Sequence, residues 1–285
     1  MIVITGASGQ LGRLVITDLL ARGVPAAQIV AAVRTPAKAA DLAAQGVQVR
    51  EADYNRPATL ATALAGAQKV LLISSSELGQ RLAQHRVVID AAKAAGVALL
   101  AYTSLLHADT SPLGLGAEHR ATEALIRESG LTHAILRNGW YTENYLASVP
   151  AALQYGAFLG SAGPGRIASA ARADYAAAAA AVLAQPVGAS RTYELAGDTS
   201  YTLAELVAEL NQQTGKAVVY NDLPQADFEA ALKGAGLPGP LAELLADSDA
   251  GAAQGGLFDA SHQLSALIGR PTTPLAVSLA AALRT

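Results

Sequence analysis

The N-terminus carries the feature that most constrains the fold: a short apolar run that ends in three evenly spaced glycines, Gly6, Gly9 and Gly12. The run Ile-Val-Ile at residues 2–4 predicts a buried strand of a parallel sheet. Apolar residues then recur at helical spacing and predict an amphipathic helix: Leu11, Leu14, Val15, Leu19 and Leu20. Strand, glycine turn and helix together form the first unit of a dinucleotide-binding fold.

Each glycine of this turn has a separate physical task. Gly6 permits the tight turn, Gly9 lets the backbone approach a pyrophosphate, and Gly12 lets the helix pack closely on the strand. The start of the helix offers free N–H groups and a positive dipole to phosphate oxygens. The alternative is a glycine-rich turn that binds nothing. We predict that the turn binds the cofactor through these residues: Gly6, Ala7, Ser8, Gly9, Gln10, Leu11 and Gly12.

The end of the second predicted strand, residues 29–33, indicates which nucleotide binds. NAD-preferring enzymes place an acidic residue there, about 20 residues past the glycines, to hold the ribose 2′-hydroxyl. This chain has Arg34, and no acidic residue lies between Arg34 and Lys38. A guanidinium grips a phosphate through paired charge-assisted hydrogen bonds. We therefore predict NADP(H) in preference to NAD(H); the alternative is an Arg34 that is solvated or stacks on adenine.

Composition excludes several classes of protein. With 52% hydrophobic and 15% charged residues, the 285-residue chain suits a compact α/β enzyme. A net charge of −3 without a basic tract argues against nucleic acid as a partner. There is no cysteine, and the five histidines lack metal-ligand spacing, so we expect no metal. No signal peptide or membrane span is predicted, which indicates a cytoplasmic chain; a homodimer is one assembly consistent with the sequence.

The order of predicted elements gives the fold class and the domains. Strands and helices alternate through the first half, which is typical of a Rossmann-type, doubly wound parallel sheet in the α/β class. The pattern loosens after residue 142, where we predict one helix over 142–154 and another with Asp174 as its N-cap. We expect an NADP-binding domain over 1–150 and a smaller α/β substrate lobe over 151–285. A strand near 192–196 is predicted to return to the main sheet.

Residues that follow the strands are the candidates for the cleft, because ligands bind outside the carboxyl ends of parallel strands. Asp53 can accept a hydrogen bond from the adenine amino group, unless it is a solvated turn residue. Ser74, Ser75 and Ser76 lie where the ribose or diphosphate passes, unless they only begin a turn. Asn138 opens the loop that continues to Asn144.

The catalytic pair of most short-chain reductases is missing. These enzymes carry Tyr-x-x-x-Lys on the helix after the fifth strand, and the nearest counterparts here are His119 and Glu123. Residues four apart share one helix face, so Glu123 is placed to orient His119 as a proton donor. We favour a histidine at the surface or the edge of the cleft over this role. His107, in the preceding loop, is a weaker candidate for the same role.

This absence favours an acceptor that needs little activation. A simple ketone requires protonation of its oxygen, whereas a quinone or a cationic dye accepts hydride once it is stacked on the nicotinamide. The aromatic residues Trp140, Tyr141 and Tyr145 can supply a flat wall. Polar neighbours for hydrogen bonds are Asn138, Glu143 and Asn144. Alternatively, Trp140 and Tyr145 are ordinary core residues.

Several segments resemble the NmrA-like group of atypical short-chain dehydrogenases/reductases, in particular the bacterial type 2 NAD(P)H:quinone oxidoreductases. The Ser-Ser-Ser-Glu at 74–77 and the Arg-Asn-Gly-Trp-Tyr at 137–141 are the most specific. Triphenylmethane-dye reductases are similar as well. The resemblance covers essentially the whole chain, through segments 1–12, 33–38, 71–77, 102–109, 136–145, 193–198 and 245–249.

The resemblance implies two-electron reduction of quinones by NADPH without flavin. It implies phosphate contacts over 6–11, a 2′-phosphate contact at Arg34 and further cofactor contacts at 74–76. Around the nicotinamide, it implies contacts at Asn138, Gly139, Trp140, Tyr141, Thr142, Glu143 and Asn144. Tyr141 and Asn144 are candidate contacts to the quinone. Two alternatives stay open: a non-catalytic NADP(H) redox sensor, and a reductase of another conjugated acceptor.

Overall fold

The computed structural model describes residues 1–77 and 79–284. Strands and helices alternate as predicted for the first half of the chain. The strands are β1 (Ile2–Thr5), β2 (Ile29–Val33), β3 (Gln48–Glu51), β4 (Lys69–Leu72), β5 (Leu99–Leu105), β6 (His133–Asn138), β7 (Ala157–Gly160), β8 (Arg191–Leu195) and β9 (Val219–Asp222).

Thirteen α-helices are described between and after these strands. They are α1 (Gln10–Ala21), α2 (Ala40–Ala44), α3 (Pro57–Ala63), α4 (Arg81–Ala94), α5 (Leu115–Glu128), α6 (Thr142–Leu146), α7 (Val149–Tyr155), α8 (Arg172–Ala184), α9 (Leu203–Thr214), α10 (Gln225–Gly234), α11 (Gly239–Ala253), α12 (Gln263–Ile268) and α13 (Leu275–Ala282).

The main sheet has seven strands in the order β3-β2-β1-β4-β5-β6-β8. The first six pair in parallel, with Val3 opposite Val30 on one side and Val70 on the other. The central strands β1, β2 and β5 are buried at every residue, as a parallel sheet covered on both faces requires. The strand order reverses beside β1, which is the switch point of a doubly wound sheet. The Rossmann-type α/β prediction is confirmed.

The first of two compact units contains most of this sheet and comprises Met1–Leu105, Ala117–Asn138 and Ala173–Tyr193. Its core combines apolar side chains from the strands with those of α3 and α4. The largest of them are buried almost completely: Leu60, Leu64, Leu72, Leu100 and Tyr102. This packing holds the carboxyl ends of β1, β2 and β4 in a fixed arrangement, and the functional site is built there.

The second compact unit comprises Leu106–Gly116, Gly139–Arg172 and Glu194–Thr285. It contains a two-stranded parallel sheet of β7 and β9. Its helix α9 begins with a capping box, in which Thr202 and Glu205 bond each other's backbone amides. The predicted division at residue 150 has one boundary, whereas both units are assembled from several stretches of the chain. The substrate role of the second half stays a prediction.

Two local predictions are wrong. The single helix predicted over 142–154 is two helices, α6 and α7, because Pro150 has no N–H and its ring excludes the carbonyl of residue 146 from a continuous helix. Asp174 is not an N-cap, since α8 begins at Arg172 and Asp174 lies buried in its first turn. In the described ranges, no helix is both long and apolar enough to cross a bilayer.

Candidate active site

The glycine turn has the geometry that its sequence predicts. Gly6 adopts a φ of 60°, a left-handed conformation that favours glycine. The Gly9 amide donates to the Gly6 carbonyl at 3.0 Å and closes the turn. Gly9 is also the N-cap of α1, with an extended backbone and no side chain capping the helix. The start of α1 therefore leaves its backbone N–H groups available to an anion.

The space around the glycines fits a close backbone approach. A Cβ on Gly12 would lie 2.7 Å from both the Gly6 carbonyl oxygen and the Ala7 Cα, and a Cβ on Gly9 would lie 3.2 Å from the same oxygen. Only glycine at position 12 allows the first turn of α1 to lie this close to the end of β1. The turn therefore presents backbone without side chains at Gly9 and Gly12, as a close approach to a pyrophosphate requires.

A cavity of about 270 Å³ opens beside this turn and gathers residues from the ends of four strands, β1, β2, β3 and β4. Eight of its lining residues were predicted from the sequence: Gly6, Ser8, Gly9, Arg34, Asp53, Ser74, Ser75 and Ser76. The prediction missed the following residues: Ala52, Tyr54, Asn55, Ile73, Glu77 and Gln84. Ala52, Tyr54, Ile73 and Glu77 adjoin predicted positions and Asn55 follows Tyr54, but Gln84 comes from α4 and no motif marks it.

Arg34 lies at the mouth of this cavity. Its side chain is 66% exposed, and its Nη1 is 2.8 Å from Oε1 of Glu77. An exposed guanidinium at the end of β2 is accessible to a phosphate, and its contact with the 2′-phosphate stays a prediction. Its pairing with Glu77 was not predicted, because the two residues are distant in sequence. They come together because β2 and β4 lie on either side of β1 in the sheet.

Tyr54 closes the inner side of the cavity. Its hydroxyl donates to Oγ1 of Thr5 at 2.6 Å, and this oxygen also accepts from the Ile73 amide and donates to the Leu71 carbonyl, both at 3.1 Å. Burial raises the pKa of Tyr54 to about 12, so the phenol stays protonated and keeps donating. These bonds fix the ends of β1 and β4 on either side of the glycine turn.

His119 is neither at the surface nor at the edge of a cleft, which corrects one expectation. It is 6% exposed, and its Nδ1 lies 2.7 Å from the Tyr102 hydroxyl. Burial, together with the charge of Arg81, lowers the pKa of His119 to about 3 and keeps the imidazole neutral. It therefore carries no imidazolium proton to donate near neutral pH.

Glu123 does not orient His119, so that prediction is wrong. Its carboxylate accepts from Oγ of Ser104 at 2.6 Å and from Arg137 at 2.9 and 2.7 Å, with Arg127 also at 2.9 Å. A buried carboxylate needs cationic partners, and two arginines satisfy this need better than a neutral imidazole. The shared helix face was correctly inferred, but electrostatics decided which neighbour Glu123 contacts.

Asn138 ends β6 in the first unit. It is buried, and within the described ranges its Oδ1 has no hydrogen-bond partner. An acceptor left unsatisfied at the carboxyl end of a strand is unusual in a folded protein and is compatible with a donor supplied by a ligand or a water molecule. Asn138 stays a predicted cofactor contact.

The remaining predicted contacts, residues 139–144, belong to the second unit, and several already bond within it. The guanidinium of Arg172 lies 4.8 Å from the ring centre of Tyr141. Both carboxylate oxygens of Glu143 accept from the Arg172 amide, at 2.9 and 3.0 Å. The Thr142 hydroxyl is 2.8 Å from that of Ser169. Their roles toward a cofactor, and those of Gly139, Trp140 and Asn144, stay predictions.

Two of the aromatic residues proposed as a substrate wall are buried. Trp140 and Tyr145 are each 7% exposed, and the Tyr145 hydroxyl donates to Oδ1 of Asp249 at 3.2 Å. This burial favours the core alternative for both residues.

His107 has a strained φ of 50°, and its Nε2 lies 3.4 Å from Oδ2 of Asp259. That contact ties two loops of the second unit together.

The fold and the cavity define a class: a Rossmann-type protein with a dinucleotide site at the switch point of its sheet. A model of NAD(P)H-binding proteins matches residues 6–186, more than half of the chain, and the chain belongs to this NAD(P)H-binding family. Quinone oxidoreductase 2 of Escherichia coli strain K12 is 63% identical over 279 residues, which make up 98% of this chain and 97% of that protein.

Solved structures agree with this assignment. The crystal structure of the NADPH-dependent quinone oxidoreductase of Escherichia coli, complexed with NADPH, aligns with a TM-score of 0.97 at 62% identity and covers 99% of this chain and 100% of that one. Triphenylmethane reductase of Citrobacter sp., complexed with NADP(H), aligns with a TM-score of 0.94 at 38% identity, again over 99% and 100%. The resemblance predicted from the motifs is confirmed.

Proposed function

We propose that this protein is an NADPH-dependent quinone oxidoreductase. In the overall reaction, NADPH, a proton and a quinone give NADP⁺ and the hydroquinone, so two electrons pass as one hydride. The observation that carries the proposal is the 63% identity to Escherichia coli quinone oxidoreductase 2 across almost the full length of both chains. Bound NADPH supplies the hydride, and the protein supplies binding, orientation and exclusion of side reactions.

The first unit supplies the groups for holding NADPH. The N–H groups at the start of α1 bind the diphosphate, and Arg34 binds the 2′-phosphate. Asp53 and the serines at 74–76 line the same cavity and contact the adenosine and ribose parts. This assignment is supported by the fit of the glycine turn and by the exposure of Arg34 at the cavity mouth.

Residues 138–144 are proposed to surround the nicotinamide, with Tyr141 and Asn144 as contacts to the quinone. We propose that the reaction uses neither flavin nor metal, because a quinone stacked on reduced nicotinamide accepts hydride without further activation. His119 is not needed as a proton donor, since water can protonate the oxygen of the reduced quinone. A homodimer stays a prediction.

The test is quinone-dependent oxidation of NADPH by purified protein from which flavin has been removed by denaturation and refolding or by exhaustive dialysis. A soluble benzoquinone or naphthoquinone serves as acceptor, and the spontaneous rate without protein is subtracted. We expect turnover with NADPH and slower turnover with an equal concentration of NADH. Tight NADPH binding without any turnover would contradict the proposal and favour the redox-sensor alternative.

A second candidate function is favoured by one observation. The 38% identity to triphenylmethane reductase of Citrobacter sp. suggests that cationic conjugated dyes are alternative acceptors. A site that works mainly by stacking discriminates weakly between flat acceptors. Comparing kcat/KM for a quinone and for a triphenylmethane dye under the same conditions separates the two functions. A higher value for the dye would make dye reduction the main activity.

A further inference from the structure

All three polar groups of Ser75, its amide, its hydroxyl and its carbonyl, bond to side chains of helix α4. Ser75 belongs to the candidate NADPH site. The Ser75 amide donates to Nε2 of His85 at 2.9 Å, and its hydroxyl donates to Oε1 of Gln84. Its carbonyl accepts from Nε of Arg81 at 2.7 Å. Arg81, Gln84 and His85 stand at positions i, i+3 and i+4 of α4, so they share one face of that helix.

This face of α4 is polar and buried, which sets it apart from an ordinary core face. The three side chains are between 0% and 6% exposed. Burying an arginine, a glutamine and a histidine costs free energy unless their hydrogen bonds are satisfied. Here all three side chains bond to the loop at the cavity, and Arg81 and His85 bond to α5 as well.

His85 is in the right protonation state to accept. Burial, with the nearby charge of Arg81, lowers the pKa of His85 to about 3, so its imidazole is neutral. Nε2 accepts from Ser75, and the proton therefore lies on Nδ1, which is 3.0 Å from Oγ1 of Thr122. That hydroxyl in turn donates to the Glu118 carbonyl at 3.0 Å. Because the Thr122 hydroxyl proton is used toward Glu118, Nδ1 of His85 is the donor to Thr122 and Nε2 is the acceptor from Ser75.

The other two side chains are themselves anchored. Nη1 of Arg81 is 3.1 Å from Oε2 of Glu118 on α5. Nε2 of Gln84 donates to Oε2 of Glu77 at 2.6 Å and to Oδ1 of Asn55 at 3.2 Å. Gln84 thus links the loops after β3 and β4, and through Glu77 it reaches the ion pair of Arg34. Ser75 and Glu77, which follow β4, are thus both bonded to side chains of α4.

We propose that Arg81, Gln84 and His85 are positioning residues that preorganise Ser75 for the binding of NADPH. The inference rests on the proposed function, because that function places residues 74–76 against the cofactor. A loop that is already ordered loses less conformational entropy when a ligand binds, so affinity rises without a new contact to the ligand. None of the three side chains needs to touch the reacting atoms.

The test compares two substitutions at His85 by the dissociation constant for NADPH, measured from the quenching of protein fluorescence without quinone. His85→Leu leaves the Ser75 amide without its acceptor, and we expect a rise of about tenfold, the size of one lost buried hydrogen bond. His85→Gln places an amide oxygen near the position of Nε2, and we expect a value within about twofold of the natural protein. The kcat at saturating NADPH should change little, while KM for NADPH follows the dissociation constant.

Val88→Ala is the matched control for stability. Val88 is fully buried on the same helix, one turn further along, and belongs to the hydrophobic core. It should lower Tm without changing NADPH affinity. If His85→Leu fails to fold, Gln84→Met replaces it, since methionine has nearly the same shape but does not bond Ser75 or Glu77; we expect a several-fold weaker affinity for NADPH.

Three results would overturn the inference. The first is a folded His85→Leu or Gln84→Met protein that binds NADPH as tightly as the natural one. The second is an equal loss of affinity in Val88→Ala, which would show a merely structural role. The third is a natural protein that binds no NADPH, which would overturn the proposed function as well and thereby distinguishes that failure from a failure of the positioning role alone.

Discussion

At the scale of single residues, the ion pair between Arg34 and Glu77 is the most informative contact in the site. It is a partly exposed pair, and such pairs contribute little to stability, typically less than about 1 kcal/mol. A weak pair is easily exchanged for a stronger one with a phosphate, whose geometry matches the guanidinium. If Arg34 binds the 2′-phosphate as proposed, Glu77 competes with this phosphate for Arg34.

Arg34→Asp tests whether Arg34 selects the phosphorylated cofactor. The substitution removes the guanidinium and adds repulsion, so we expect NADPH binding to weaken at least several-fold more than NADH binding. Titration of each cofactor measures both constants. Arg166→Asp is the control, because Arg166 is also an exposed arginine paired with a glutamate, in the second unit. Equal weakening of the two cofactors in Arg34→Asp would contradict this role.

Glu77→Gln tests the competition itself. Removing the carboxylate charge frees Arg34, and we expect NADPH to bind up to about fivefold more tightly, the limit set by the value of an exposed pair. NADH, which lacks the 2′-phosphate, should bind unchanged. Glu229→Gln, which breaks the pair with Lys233 on α10, is the charge-matched control. A loss of NADPH affinity in Glu77→Gln would mean that Glu77 helps to bind the cofactor.

At the scale of elements, the first strand, turn and helix follow from local sequence alone. The glycine spacing dictated both the positive φ of Gly6 and the close approach at Gly12. Elements that depend on packing were harder to predict. The break in the helix predicted over 142–154 comes from Pro150. The partner of Glu123 is predictable only once the position of Arg137 on β6 is known.

Gly12→Ala tests the packing of α1 on β1. The added methyl group would lie 2.7 Å from backbone atoms, so the helix must shift. We expect a loss of about 1–3 kcal/mol in the free energy of unfolding and a clear loss of NADPH affinity, because the N–H groups move with the helix. Urea denaturation and cofactor titration measure these effects. Gly188→Ala, where a methyl group meets open space, should change neither; an unaltered Gly12→Ala protein would contradict the account.

At the scale of the whole molecule, sequence reasoning recovered the sheet, the glycine turn and more than half of the cavity lining. These features depend on residues near each other in sequence or on a known order of strands. It did not recover Glu77 beside Arg34 or the three α4 side chains that hold Ser75, since these contacts join segments that the sequence patterns treat separately. Sequence patterns describe elements well and the contacts between their ends poorly.

The second unit should make the stability of the chain depend on pH through Asp249. Burial, with a contribution from the charge of Asp222, raises the pKa of Asp249 to about 6, and the bonds from Ser161 and Tyr145 only partly oppose this. The nearby phenols of Tyr145, Tyr201 and Tyr220 have raised pKa values and stay neutral in this range. The folded state therefore binds the proton on Asp249 more tightly than the unfolded state does.

Asp249→Asn should remove this dependence. Because the pKa of Asp249 is raised in the folded state, the contribution of its proton to the free energy of unfolding is fully present below about pH 4. This contribution is lost as the pH rises through about 6. Relative to Asp249→Asn, the natural protein should lose up to about 3 kcal/mol of unfolding free energy between these limits. Urea denaturation across this range measures it, with the exposed Asp227→Asn as control. A difference that moves in the opposite direction with pH would contradict the assignment.

The most direct test of the central claim is a single turnover of NADPH bound to flavin-free protein. Protein and NADPH are mixed at equal, saturating concentrations, and the near-ultraviolet absorbance of reduced nicotinamide is followed after rapid addition of a benzoquinone. We predict that one NADPH is oxidised per chain, that deuterium on the transferred position of C4 slows this phase, and that added flavin changes nothing. Bound NADPH that stays reduced, or whose oxidation requires added flavin, would contradict direct hydride transfer to the quinone.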